Sequence, residues 1–180
     1  MGITNREFKK RRREIMSRME PNSIGLLSSA PECLRNNDAE YQYRQNSDFY
    51  YLTGFTEPHA ILALVPGREQ GEVILFCREK NEEKELWTGY ILGPEAAIDS
   101  LKIDDAYPIE DVDEIISGLI EGKDRIYYSM GRDDHFDRQV MTWVKNLRNN
   151  AKVGPPPPSE FQVLDHLLHE LRLIKSPAEI

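Results

Sequence analysis

Ala60-Ile61-Leu62-Ala63-Leu64-Val65 is apolar at every position, so no alternate face carries a polar side chain. A strand built from it must be covered on both faces, which places it at the centre of a layered sheet. Glu57-Pro58 before it and Pro66-Gly67 after it supply the turns. Further strands are predicted over Ile24–Ser28, Glu72–Cys77 and Arg125–Ser129, with a short one near Tyr107. Stretches of helical period separate them. That alternation predicts an α/β fold: a mixed β-sheet layered by helices.

The helices read as follows. Asn5 caps a helix running to about Met19, with Phe8, Ile15, Met16 and Met19 on one side and Pro21-Asn22 ending it. Pro94 suits the first turn of a helix through Leu101. Ile109–Leu119 directs Val112, Ile115, Ile116, Leu119 and Ile120 inward. Asp133-Asp134-His135 reads as the start of a helix over Asp134–Leu147, with Phe136, Val140, Trp143, Val144 and Leu147 apolar. Asn81–Leu86 is charged enough for a helix or a loop, and Pro31–Ala39 reads as polar loop. Pro155–Pro158 is a stiff extended connector. It predicts a compact domain over 1–154 and a connector over 155–180, whose residues Phe161–Ile174 form an amphipathic C-terminal linker helix.

At 180 residues the chain fits one domain and needs no disulfide or metal to fold. Its net charge of −8 disfavours nucleic-acid binding, which runs on phosphate neutralisation. Lys9–Arg13 are five consecutive cations. Consecutive residues spread around a helix, which predicts a solvated face, with a basic patch for an acidic partner as the other reading. Cys33 and Cys77 lack zinc spacing and are expected to be free thiols in a reducing compartment. Met1–Met19 has no apolar core for a signal peptide, and no run approaches the ~20 residues of a membrane span. The expected location is cytoplasmic.

Tyr41–Pro58 concentrates four of the eight Tyr and two of the six Phe. Phe49–Thr53 reads as an aromatic strand stopped by Gly54, with Arg44, Gln45, Asn46 and Asp48 in the polar loop before it. Such a loop fixes side chains beside a cleft; alternatively it is a satisfied turn leading into a core strand. The run Tyr43-Arg44-Gln45-Asn46-Ser47-Asp48-Phe49-Tyr50-Tyr51-Leu52-Thr53-Gly54-Phe55, followed by Glu57-Pro58, resembles the N-terminal domain of the Xaa-Pro aminopeptidases (aminopeptidase P) of the creatinase/prolidase superfamily. The basic N-terminal helix, Glu85-Leu86-Trp87-x-Gly89-x-x-Leu92-Gly93 and the closing His169–Ile180 segment extend the likeness, in family order, along nearly the whole chain. The resemblance favours a strand over Asn81–Leu86 running to Trp87, where charge favours a helix or loop.

The resemblance implies a protein that removes the first residue from peptides with proline in second position, as a cytoplasmic homo-oligomer. Relatives use two metal ions, usually manganese, held by a C-terminal catalytic domain, with a bridging hydroxide attacking the scissile carbonyl. None of those ligand motifs occurs here, so the chain is expected to bind no cofactor and to be inactive alone. His166-x-x-His169-Glu170 has neither zincin order, and Asp165 beside it makes a metal site only by chance. Ser176-Pro177-Ala178-Glu179 reads as the start of a further helix, leading to a catalytic domain not contained in these residues. The resemblance also singles out Trp87, which in bacterial relatives reaches toward a neighbouring subunit's active site. Thr88, Tyr90 and Ile91 stand where those relatives carry an aromatic and two arginines. Trp87 and Arg44 are therefore the candidate substrate-proximal or oligomer-contact residues, with a buried structural role as the other reading for Trp87. A peptide- or partner-binding module of the same fold, without hydrolysis, is the alternative function.

Overall fold

The two-sided strand is present as β4 (Ile61–Leu64), and all four residues are buried. A computed structural model describes residues 3–36, 39–150, 154–177 and 179. In chain order the elements are α1 (Asn5–Arg18), β1 (Ser23–Ser28), β2 (Leu34–Asn36), β3 (Ala39–Glu40), α2 (Ser47–Thr53), β4, β5 (Val73–Cys77), α3 (Glu82–Thr88), α4 (Pro94–Leu101) and β6 (Asp105–Pro108). A 3₁₀ turn (Ile109–Asp111), α5 (Val112–Ile120), β7 (Arg125–Tyr128), α6 (Asp134–Asn150), β8 (Glu160–Val163) and α7 (Asp165–Leu173) follow.

Six strands form one sheet in the order β6-β5-β4-β1-β7-β8. β4 runs antiparallel to both neighbours, while β6 is parallel to β5, β7 to β1 and β8 to β7. Alternate side chains feed two cores, as the pleat requires. Leu27, Leu62, Leu64 and Leu75 pack with Ile15, Met16, Phe49, Leu52, Ala97, Leu168 and Leu171 of the helices on one face. Leu26, Ile61, Ala63 and Phe76 pack with Val112, Ile116, Val140, Trp143 and Val144 of α5 and α6 on the other.

Several expectations are corrected. Phe49–Thr53 is not a strand but the body of α2, begun by Asn46, whose side chain accepts from Asp48 N–H (2.8 Å) and Phe49 N–H (3.3 Å). Gly54 ends it in the left-handed region (φ 70°), where a Cβ would also stand 2.5 Å from the Phe8 ring. Second, Phe161–Ile174 is not one helix. Its first residues form β8 at the sheet edge and only Asp165–Leu173 is helical, with Leu164, Leu168 and Leu171 in the core. The residues after the proline run therefore share the sheet and core of the rest.

Third, Lys9–Arg13 is solvated only in part: Lys9, Lys10 and Arg13 are exposed, but Arg11 and Arg12 are each only 1% exposed. Fourth, Thr4, not Asn5, is the N-cap of α1, and Asn5 Nδ2 donates to the Ser100 carbonyl (2.7 Å). The stretch read as loop over 31–39 also holds β2, paired with β3; residues 37 and 38 lie outside the described residues. The strand that the resemblance favours over Asn81–Leu86 is helical instead, capped by Asn81 at the start of α3.

Candidate functional site

The polar loop before α2 is a hydrogen-bonded hub. Gln45 Oε1 accepts from Ala30 N–H (2.9 Å), Asn46 N–H (2.8 Å) and Tyr43 O–H (3.0 Å), while its Nε2 donates to the Glu57 carbonyl (2.9 Å). One amide thus ties the end of β1, the start of α2 and the Glu57-Pro58 turn. Glu57 extends the tie: Arg78 Nη2 donates to its carboxylate (3.0 Å), and Leu92 N–H donates to the other oxygen (2.8 Å).

Beneath this loop lie the two buried arginines. Arg12 donates to the carbonyls of Leu52 (2.8 Å), Leu101 (3.1 Å) and Lys102 (2.7 Å), at the carboxyl ends of α2 and α4. A cation there meets the negative end of two helix dipoles. Burial lowers its pKa to about 10, with Asp104 opposing, so it stays charged at neutral pH. Arg11 lies 4.1 Å from the Tyr51 ring centroid and donates to the Tyr51 carbonyl (3.2 Å) and to Glu7 (3.3 Å). Asp48, almost fully buried, accepts from Arg132 (3.3 Å) and from Arg172, joining α2 to the β7–α6 loop and to α7.

Arg44 is exposed at the rim of a cleft of about 550 Å³ that Arg11, Tyr50, Tyr51, Arg172 and Glu179 also line. Trp87 stands elsewhere. It is 90% exposed on α3, a helix with no buried residue, beside Leu86 at 84% and near Tyr90 at 66%. The Trp87 side chain is therefore not buried beside the sheet. Asn81 caps α3 through Lys84 N–H (3.0 Å), and Glu85 accepts from Ile91 N–H (2.8 Å), which fixes the arm without covering it. Ile91 is buried, and Lys80 lies 5.3 Å from the Tyr90 ring centroid. The structure thus does not bring Arg44 and Trp87 into one cleft.

A larger cleft lies at the carboxyl ends of the parallel strands, lined by Ser29, Glu32, His59, Arg78, Asp133 and His135 among others. His59 and Glu32 pair across it at 2.8 Å. Among the described residues no three His, Cys, Asp or Glu side chains are grouped to hold a metal ion. His166 and His169 are exposed. Asp165 is engaged by Ser129 (2.6 Å) and Arg132 (3.4 Å), and Glu170 by Arg18 (3.0 Å). The residues present do not fit a two-metal centre.

Cys77 is buried in the sheet, which pushes its thiol up to about 12, Glu57 adding to the effect and Arg78 opposing it. Cys33 is exposed. An aromatic disulfide reagent is expected to label Cys33 in the native chain and Cys77 only after unfolding. Labelling of both at the same rate in native buffer would contradict the buried placement.

The described residues include no helix long and apolar enough to cross a membrane. Comparison with known proteins then decides the family. The family model for the N-terminal domain of aminopeptidase P matches residues 8–127. The chain belongs to that family. It is 36% identical over 179 residues to the Xaa-Pro aminopeptidase of Escherichia coli, covering 99% of this chain and 41% of that enzyme. The structure of Pseudomonas aeruginosa aminopeptidase PepP superposes with a TM-score of 0.97 at 52% identity, over 99% of this chain and 40% of that one. A zinc-substituted E. coli aminopeptidase P in complex with product gives 0.95 at 35% identity, again over 41% of its own length. The chain thus spans about two fifths of these relatives.

The aminopeptidase P match includes Arg11, Arg12, Gln45, Asp48, Glu57 and Trp87. Reading the sequence missed the inward placement of Arg11 and Arg12, although the signal was there. Phe8, Arg11, Arg12, Ile15 and Met16 are all buried on α1, and their spacing is that of one helix face. It equally missed Arg172 and Glu179 as partners of this region; no local pattern joins residues so far apart in sequence.

Proposed function

We propose that the chain is the non-catalytic N-terminal domain of a cytoplasmic, homo-oligomeric Xaa-Pro aminopeptidase, acting on peptides with proline in second position. The observation that carries this reading is coverage: nearly all of this chain aligns with about two fifths of relatives named Xaa-Pro aminopeptidase. Hydrolysis is then the work of the remaining part of the enzyme, which on the family pattern holds two metal ions, manganese by expectation. What this domain supplies is shape, a rigid sheet carrying the Arg44 rim and the α3 arm. The chain alone, incubated with excess Mn²⁺ and an Xaa-Pro peptide, is expected to release no product above a protein-free control, while the full-length protein does. Turnover by the chain alone would overturn the division of labour.

The exposed Trp87, next to Leu86 on an arm with no buried residue, supports an oligomer or substrate contact, since aromatic side chains anchor interfaces. In the 180-residue chain Trp87→Ala is expected to shift stability by no more than about 0.5 kcal/mol. In the full-length enzyme the same change is expected to dissociate the oligomer or lower turnover, read by light scattering and by kcat/KM. Unchanged assembly and turnover would remove Trp87 from the functional residues.

A further inference from the structure

The cleft at the Arg44 rim is lined by three guanidinium groups, Arg11, Arg44 and Arg172, against a single carboxylate, Glu179. Tyr43, Tyr50 and Tyr51 supply its aromatic walls. Arg172 is committed to Asp48. Arg11 is the informative member. It is 1% exposed, and its Nε and Nη1 are used on Glu7 and on the Tyr51 carbonyl. Its Nη2 is buried and makes no hydrogen bond among the described residues; Glu179 Oε2 stands 3.4 Å away, an ion pair without a hydrogen bond. A buried N–H without an acceptor is costly, and a carboxylate oxygen seated closer satisfies it. Arg44, exposed at the rim, makes no ion pair or hydrogen bond among the described residues and is available as a second donor.

Glu179 is the carboxylate that faces Arg11 here, its side chain 15% exposed. It sits on a short turn, its own N–H donating to the Ser176 carbonyl (2.9 Å) and its carboxylate accepting from Ser176 N–H (3.0 Å).

We propose that this cleft binds the carboxylate of a peptide ligand, with Arg11 and Arg44 as donors, and that Glu179 occupies it in the unliganded chain. The site needs no hydrolysis and does not rest on the peptidase reading. A peptide carboxylate comes either from a free C-terminus or from an acidic side chain. Three short peptides separate the sources: one with a free C-terminus and no acidic residue, its C-terminal amide, and the amide carrying one internal Glu. Each is titrated against the chain by isotope-edited NMR, following the Arg11 and Arg44 side-chain resonances.

Saturable binding is expected for one or both carboxylate-bearing peptides and not for the neutral amide. Glu179→Gln removes the charge of the internal competitor and is expected to tighten binding, while Arg44→Ala is expected to weaken it by about tenfold, the loss of one charge-assisted hydrogen bond. Arg44 is exposed and Glu179→Gln keeps the size of the side chain, so the test does not depend on whether Arg11→Met folds. Binding of the neutral amide as tightly as its acid, an unchanged affinity in Arg44→Ala, or no saturable binding by wild type and Glu179→Gln alike would overturn the proposal.

Discussion

Replacing Arg12 by methionine is expected to cost about 3–5 kcal/mol of stability, close to the loss from deleting one partner of a buried ion pair. The stem of the side chain is matched in length, so the loss is polar. Three carbonyls, of Leu52, Leu101 and Lys102, lose the guanidinium that joins them. They lie where α2 and α4 end, and carbonyls at a helix C-terminus have no partner within the helix. Each buried acceptor left bare costs about 1–3 kcal/mol, less for any that water reaches. Urea unfolding followed by circular dichroism measures the change. Arg12→Lys is expected to recover only part of it, because an ammonium cannot present two parallel donors. A loss below about 1 kcal/mol for Arg12→Met would show that water replaces the guanidinium without penalty.

Trp143→Ala is expected to be comparably damaging, at about 3–5 kcal/mol. The indole is 1% exposed between α6 and the sheet, edge-on to Phe136 with ring centroids 6.2 Å apart. Its Nε1–H donates to Asp113 on α5 (2.7 Å), so truncation opens a cavity and removes a tie between α6 and α5 at once. Asp113→Asn keeps the ring and an acceptor oxygen, and is expected to cost no more than about 1.5 kcal/mol. The contrast with Trp87 is the check on both. The two tryptophans should differ in fluorescence maximum, quencher access and mutational cost, all in the same order.

Strand positions were legible where both faces are covered, because an all-apolar run such as Ile61–Leu64 has few other places to go. The helices over α4, α5 and α6 were legible from their period and from Pro94 and Asp133 at their starts. The Phe49–Thr53 segment was misread because its residues favour strands by type. Its capping residues, Asn46 before and Gly54 after, carried the better signal. Tertiary packing also overrides propensity there, five of the seven residues of α2 being buried. Phe161 and Val163 alternate with exposed Gln162, a period of two that a long apolar helix pattern from Leu164 onward concealed. Of the candidate site, Trp87 was singled out by the family resemblance, and its 90% exposure removes the buried reading. The Arg11–Glu179 and Asp48–Arg172 pairs were not legible, since they join the two ends of the chain.

The order of strands has a consequence for how the chain acquires its shape during synthesis. β1, near the amino terminus, has β4 on one side and β7 on the other. Its partner β4 emerges early, but β7 follows roughly a hundred residues later, a separation that slows pairing through the entropy of closing so long a loop. The four strands β6-β5-β4-β1 can therefore assemble while the ribosome is still making the rest, leaving one flank of β1 as an unpaired edge. Such an edge recruits strands from other chains when it is left open. The late arrival of β7, with β8 beside it and α7 behind, closes that flank and makes the last third of the sequence the protection of the first.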